Sequence, residues 1–269
     1  MIEWHIHPDY ADGPAGQAFR AAFGSPAAVF ALAGEKITDD QESEVYRVTV
    51  AGKRYYVKRY YIGRRAFSRR WFGLRDWLGP RRAVQEWTNL RRFAAWGIPT
   101  AILAVYGQER RYGRFVRAAV VTEELRNTAD LAQLAHERDP RLQDARWLGQ
   151  VLPQIAEATR RMHAHRFCHN DLKWRNILVD DGAVDGTGVG SGGGPTAYFI
   201  DCPTGMFWWP PFLEYRIVKD LACLDKVAKY TLPRRWRLRF YLDYVGRRRL
   251  NAADKKRLQK VLAFFDGRE

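Results

Sequence analysis

The apolar pattern of this chain changes its period once, near residue 127, and that change restricts the folds open to it. Residues 35–61 alternate and are rich in Val, Tyr and Thr, with Ala51-Gly52-Lys53 as a turn inside the run, which predicts an antiparallel hairpin. Residues 83–96 have helical spacing and stop at Gly97-Ile98-Pro99; residues 101–108 and 115–125 then read as two further strands. Beyond Asn127 the spacing is helical: residues 128–136 form a short helix, 142–165 a long amphipathic one despite Pro153, and 213–265 a basic helical remainder. Two short strand-like runs, 177–179 and 197–200, interrupt this half. The Gly-rich stretch 180–195 separates them and reads as a flexible excursion from a hairpin. Strands first and helices afterwards predict an α+β chain, with a small antiparallel β lobe over residues 1–125 and a larger α-helical lobe over residues 126–269. Clefts between such lobes commonly take small ligands.

With 269 residues and 46% apolar content, the chain buries a sizeable core, and disorder of the whole is excluded. Lys and Arg number 45 against 30 Asp and Glu, a formal charge of +15, so a polyanionic partner is expected at some surface. The three cysteines, Cys168, Cys202 and Cys223, are odd in number and lack metal-ligand spacing, which points to a reducing compartment. No run approaches the ~20 apolar residues needed to span a bilayer. The reading is therefore a soluble cytoplasmic protein that touches a membrane surface.

The chemistry concentrates in His169-Asn170-Asp171-Leu172-Lys173-Trp174-Arg175-Asn176, followed by a strand and, past the Gly-rich excursion, by Tyr198-Phe199-Ile200-Asp201. Phosphoryl transfer asks for a positioned hydroxyl and for cations on the phosphate oxygens. A carboxylate at Asp171 suits the first task, with Lys173 beside it and His169 bracing the loop from within. Asn176 and Asp201 offer the oxygen ligands that Mg²⁺ prefers. Upstream, Lys58 closes the strand Tyr55-Tyr56-Val57-Lys58 and suits the α and β phosphates of a nucleotide. Glu86, the single acidic residue between Asp76 and Glu109, is placed to hold that lysine. The run Val120-Val121-Thr122-Glu123-Glu124-Leu125 reads as a hinge whose backbone at Glu123 and Leu125 meets an adenine edge. Where a glycine-rich phosphate loop is expected, residues 37–44 contain no glycine, so Ser43 and neighbouring N–H groups are the expected cover.

The chain resembles the lipopolysaccharide core kinases, the Kdo/WaaP family within the protein-kinase-like superfamily. The resemblance extends over residues 34–240 and is carried by Tyr55-Tyr56-Val57-Lys58, Gln85-Glu86-Trp87, Val121-Thr122-Glu123-Glu124-Leu125, residues 163–176 and Lys219-Asp220-Leu221-Ala222. It implies a two-lobed protein-kinase-like fold, ATP with Mg²⁺ or Mn²⁺, and a sugar hydroxyl of heptose or Kdo as acceptor. It further implies Asp171 as catalytic base, Asn176 and Asp201 as metal ligands, and Lys58 with Glu86 as nucleotide clamp. The partner would be the lipopolysaccharide core or a lipid A-core acceptor, met peripherally at the cytoplasmic face of the inner membrane.

Between Arg64 and Arg82 the sequence alternates Arg with Trp and Phe, a composition suited to an anionic membrane surface. A second basic run over residues 234–239 and 247–249 extends the same surface. His163 and His165 lie two apart without a carboxylate at ligand spacing and read as helix-end residues; Cys168 reads as packing. Two other classes fit the same residues: a kinase of a protein or small-molecule hydroxyl, and a non-catalytic kinase-shaped module whose Arg excess grips nucleic acid or an acidic complex. No specific nucleic acid is expected. The set Lys58, Asp171, Asn176 and Asp201 argues against a mere scaffold.

Overall fold

The computed structural model describes residues 1–10, 12–40, 43–61, 82–182 and 194–267. The chain divides into two units, one of Met1–Arg91 with Ala101–Glu124, the other of Arg92–Thr100 with Leu125–Glu269.

The first unit is built on a six-stranded antiparallel sheet. Its strands are β1 (Ile2–Ile6), β2 (Glu35–Asp39), β3 (Ser43–Val50), β4 (Lys53–Tyr61), β5 (Leu103–Arg111) and β6 (Arg114–Glu123), in the order β1-β5-β6-β4-β3-β2. The two central hairpins close on two-residue turns, Ala51-Gly52 and Tyr112-Gly113. Both residues of each have positive φ, the conformation whose twist matches the flanking strands. Strand β6 is apolar on both faces and alternates accordingly. Ala119 and Val121 pack with Phe19, Phe23 and Val29 of helices α1 (Gly13–Phe23) and α2 (Pro26–Ala31). Ala118 and Val120 pack with Trp87 and Leu90 of helix α3 (Arg82–Ala95). The first 34 residues carry no assigned element in the sequence reading, yet β1 forms an edge of the sheet by pairing with β5. At their closest approach only Gly107 fits, because a Cβ there would lie 2.2 Å from the Glu3 carbonyl oxygen.

Helix α3 ends as its sequence predicts. Gly97 takes a left-handed φ of 66°, the Ile98 N–H donates to the Phe93 carbonyl (2.8 Å) and the Gly97 N–H to that of Ala94 (3.0 Å).

The second unit is mainly helical, with α4 (Leu131–His136), α5 (Ala145–Ala164), α6 (Pro210–Thr231), α7 (Arg234–Val245) and α8 (Ala252–Leu262). One stripe of α5, with Leu148, Val151, Ile155 and Met162, lies in a core shared with Phe167, Leu172, Ile177 and Phe199. Strands β7 (Thr128–Asp130), β9 (Ile177–Asp180) and β10 (Ala197–Phe199) form a small sheet in the order β10-β9-β7, and β8 (Phe167–Cys168) pairs with β11 (Met206–Phe207). The short helix predicted over 128–136 is thus strand over its first three residues. Thr128 pairs with Asp180 across the ladder, and the helix begins only at Leu131, where the Asp130 carboxylate accepts the Gln133 N–H at 2.8 Å. Its strand partner lies 50 residues downstream, beyond the reach of local periodicity.

The β9–β10 hairpin is closed at its neck by Asp180. Its carboxylate accepts the N–H groups of Gly182 (3.1 Å) and Thr196 (2.7 Å) and the Tyr198 hydroxyl (3.1 Å), while its own N–H donates to the Thr196 carbonyl (3.2 Å).

Candidate active site

In the first unit, Lys58 and Tyr60 share the face of β4 that looks at α3, since side chains alternate along a strand and Val57 is turned to the opposite core. Helix α3 presents Glu86 to them. The Lys58 Nζ lies 2.9 Å from the Glu86 carboxylate, which also accepts the Tyr60 hydroxyl. Glu86 is buried and Lys58 is largely so, and the pair gives the lysine a fixed partner. Glu123 ends β6. Its N–H donates to the Ile102 carbonyl (3.0 Å), and its carboxylate accepts Tyr10 and lies 3.2 Å from Lys53, which leaves that side chain fully engaged.

In the second unit, Leu125 accepts the Thr128 hydroxyl at its carbonyl (2.8 Å), and among the described residues its N–H makes no hydrogen bond. The loop after β8 is organised by its own side chains. The Asn176 amide donates to the Asp171 main-chain carbonyl at 2.8 Å and approaches the Asp171 carboxylate at 3.5 Å. That bond fixes the amide with its oxygen uncommitted among the described residues. Lys173 Nζ lies 2.6 Å from the Asp171 carboxylate, and Arg175 lies 3.8 Å from it. The β9–β10 pairing brings the other carboxylate in: Phe199 faces Ile177, the Ile200 N–H donates to the Asn176 carbonyl (3.0 Å), and Asp201 follows at the same end of the hairpin. Asp201 holds a left-handed φ of 54° and Asn170 one of 64°. Both are uncommon for residues with a Cβ and cluster where function holds backbone in place.

His169 is fully buried, its ring parallel to that of Phe93 at 6.1 Å. Desolvation lowers its pKa, against the pull of Asp220, Asp201 and Asp171 in the other direction, so the ring is neutral and acts in packing. The residue that holds this loop is one to which the sequence reading gives no role. Asp220 of α6 is fully buried and accepts the N–H groups of His169 (2.7 Å) and Asn170 (2.9 Å). His163 lies in the last turn of α5, as its helix-end reading expects, and its ring is engaged there. Its Nε2 lies 3.4 Å from Asp220 and its Nδ1 2.9 Å from the Tyr244 hydroxyl, all buried. Among the described residues, His163, Cys168 and Asp220 also bring ligand atoms within 4.8 Å of one another. Burial, reinforced by the Asp220 carboxylate, pushes the Cys168 thiol well above its usual range, and Asp220 is committed to backbone amides, so the cluster is a brace. All three cysteines are buried thiols, and none forms a disulfide among the described residues.

The structure thus joins Lys58 with Glu86 in one unit, and His169, Asp171, Lys173 and Asn176, with Asp201 at the hairpin end, in the other. The basic aromatic segment from Arg64 lies outside the described residues up to position 81. In the second basic run, Arg237, Arg239 and Arg247 are engaged within the unit by Asp225, Asp243 and Asp254.

The family model described as lipopolysaccharide kinase (Kdo/WaaP) matches residues 28–260. The chain belongs to this family. It is a lipopolysaccharide kinase, and the use of ATP follows from that membership. A solved structure described as "WaaP in complex with acyl carrier protein" has the same fold, with a TM-score of 0.67 and 24% identity over 98% of this chain and 97% of that one. No curated protein sequence matches the chain. The α+β kinase-like architecture is therefore shown both by the elements and by that likeness. Among the described residues of this lipopolysaccharide kinase, no helix is long and apolar enough to cross a membrane.

Proposed function

We propose that this kinase transfers the γ-phosphate of ATP to a hydroxyl of heptose or Kdo in the lipopolysaccharide inner core, working peripherally at the cytoplasmic face of the inner membrane. The observation that carries the reading is the hairpin register that sets Asn176 and Asp201 at one end, beside a loop in which Asp171 is exposed enough to meet a substrate.

In this reading Asp171 accepts the proton of the acceptor hydroxyl as its oxygen bonds to the γ-phosphorus and the bond to ADP breaks. Lys173 holds the carboxylate in place. Lys58, steadied by Glu86, meets the α and β phosphates, and the uncommitted Leu125 N–H donates to the adenine edge, with the Glu123 backbone beside it. The donor set suits a hard divalent cation: one carboxylate and one amide oxygen, the amide locked by its bond to Asp171. Asn176 and Asp201 would hold Mg²⁺ or Mn²⁺, which when bound neutralises charge on the phosphate oxygens. Dephosphorylated inner-core oligosaccharide incubated with labelled ATP and this kinase is expected to take label on heptose or Kdo, located by mass spectrometry. Label on peptide or aminoglycoside hydroxyls in place of either sugar would refute the acceptor.

One further observation favours an acylated partner. An apolar cavity of about 440 Å³ lies within the helical unit, lined by Leu152, Ile155, Leu221, Leu224, Phe240 and Leu258. The relative solved with acyl carrier protein supports the same partner here, with the acyl chain entering this cavity. Acylated carrier is expected to raise the melting temperature of the kinase and unacylated carrier is not; equal shifts would refute chain insertion.

A further inference from the structure

Residues 206–215, Met-Phe-Trp-Trp-Pro-Pro-Phe-Leu-Glu-Tyr, enter neither the chemistry nor the core in full. Trp209 is 80% exposed and Phe212 63%, and Met206, Phe207 and Tyr215 are exposed with them. So many large apolar side chains open to water along one short segment mark an interaction face. The ledge is held firmly. Strand β11 pairs with β8, the Trp208 N–H donates to the Arg166 carbonyl (2.9 Å), and Pro210 and Pro211 begin α6.

We propose that this aromatic ledge docks the kinase onto an anionic lipid bilayer. Three features select a bilayer. The exposed rings include Trp and Tyr, the side chains that settle at headgroup level. Cations border them: the Arg92 guanidinium lies 4.9 Å over Phe207 and that of Arg216 3.9 Å over Trp208, and Arg166 is exposed at the edge. The one acidic residue among positions 206–216, Glu214, is neutralised by a forked pair with Arg257 at 2.8 and 2.9 Å, so the ledge presents no open carboxylate to anionic headgroups.

The position also has a consequence for the acceptor. Phe207 faces Phe167 across the β8–β11 pair and Met206 faces Cys168, one residue before the loop that carries Asp171. A bilayer resting on the ledge therefore lies beside that loop, where a saccharide projecting from a lipid anchor would arrive. This inference rests on the reading that the acceptor is membrane-borne, and it is independent of the basic segment that begins at Arg64.

The test is co-sedimentation of the full chain with vesicles of phosphatidylethanolamine and phosphatidylglycerol, compared with phosphatidylcholine vesicles. The double variant Trp209→Ser with Phe212→Ser is expected to lose about tenfold or more in affinity for the anionic vesicles. Tyr230→Ser removes a ring that is also exposed, at the other end of α6, and is expected to leave binding unchanged. Phosphate transfer to a water-soluble core oligosaccharide should remain at the wild-type rate in the double variant, while transfer to the same acceptor anchored in vesicles falls. Unchanged vesicle binding by the double variant, or equal binding of the wild type to phosphatidylcholine, would overturn the docking face. Absence of transfer to any saccharide would count against the proposed acceptor and would leave the vesicle result to be read separately.

Discussion

Asp171→Asn is expected to lower kcat by about 10²–10⁴-fold, the usual contribution of a positioned general base, with little change in ATP affinity. The expectation follows from what Asp171 does and does not hold together. Its side chain is about one-third exposed, and its ion pair with Lys173 is of the surface kind, worth roughly 0–1 kcal/mol. The bond that shapes the loop runs from the Asn176 amide to the Asp171 main-chain carbonyl, which the substitution retains. Folding, followed by thermal melting, should therefore be nearly unaffected while turnover collapses. Near wild-type transfer by this variant would remove Asp171 from the role of base.

Asp220→Ala is expected to do the reverse at first: the protein itself is weakened, by about 3 kcal/mol, because the His169 and Asn170 N–H groups are left buried without acceptors. For a chain of this size that corresponds to a fall of about 6–12 °C in melting temperature. Asp220→Asn keeps one oxygen acceptor and should lose roughly half as much. Activity measured below the new melting point should fall as well, since Asn170 sits in the left-handed region and loses the contact that holds it there. A melting temperature equal to wild type in Asp220→Ala would show that the loop finds other partners.

What the sequence disclosed and what it hid divide along the range of the interactions. The hairpin around Ala51-Gly52, the helix ending at Gly97, and the hairpin carrying Asn176 and Asp201 were all readable, because each is set by neighbours or by a turn of fixed chemistry. The small strand at Thr128 was not, since it exists only through pairing with β9. The same holds for β1, whose partner β5 lies a hundred residues on and which has no hairpin to announce it. The buried group of His163, Asp220 and Tyr244 was also out of reach. Spacing along α5 reports which face His163 occupies but not that an aspartate 57 positions away completes it. Asp220 carried one legible sign, an acidic residue within the apolar run of α6, which calls for a buried partner.

The hydrogen bonds that Asp180 makes at the neck of the β9–β10 hairpin separate two things that the chain order joins. Gly182 and Thr196 are tied to one carboxylate, so the stem is set by its own residues, and the entropy of closing a flexible loop grows slowly with length, by about 0.6 kcal/mol for each doubling. A reporter peptide, a protease site or a new pair of chain ends can therefore be engineered into that interval while the register of Asp201 against Asn176 is inherited intact from the stem.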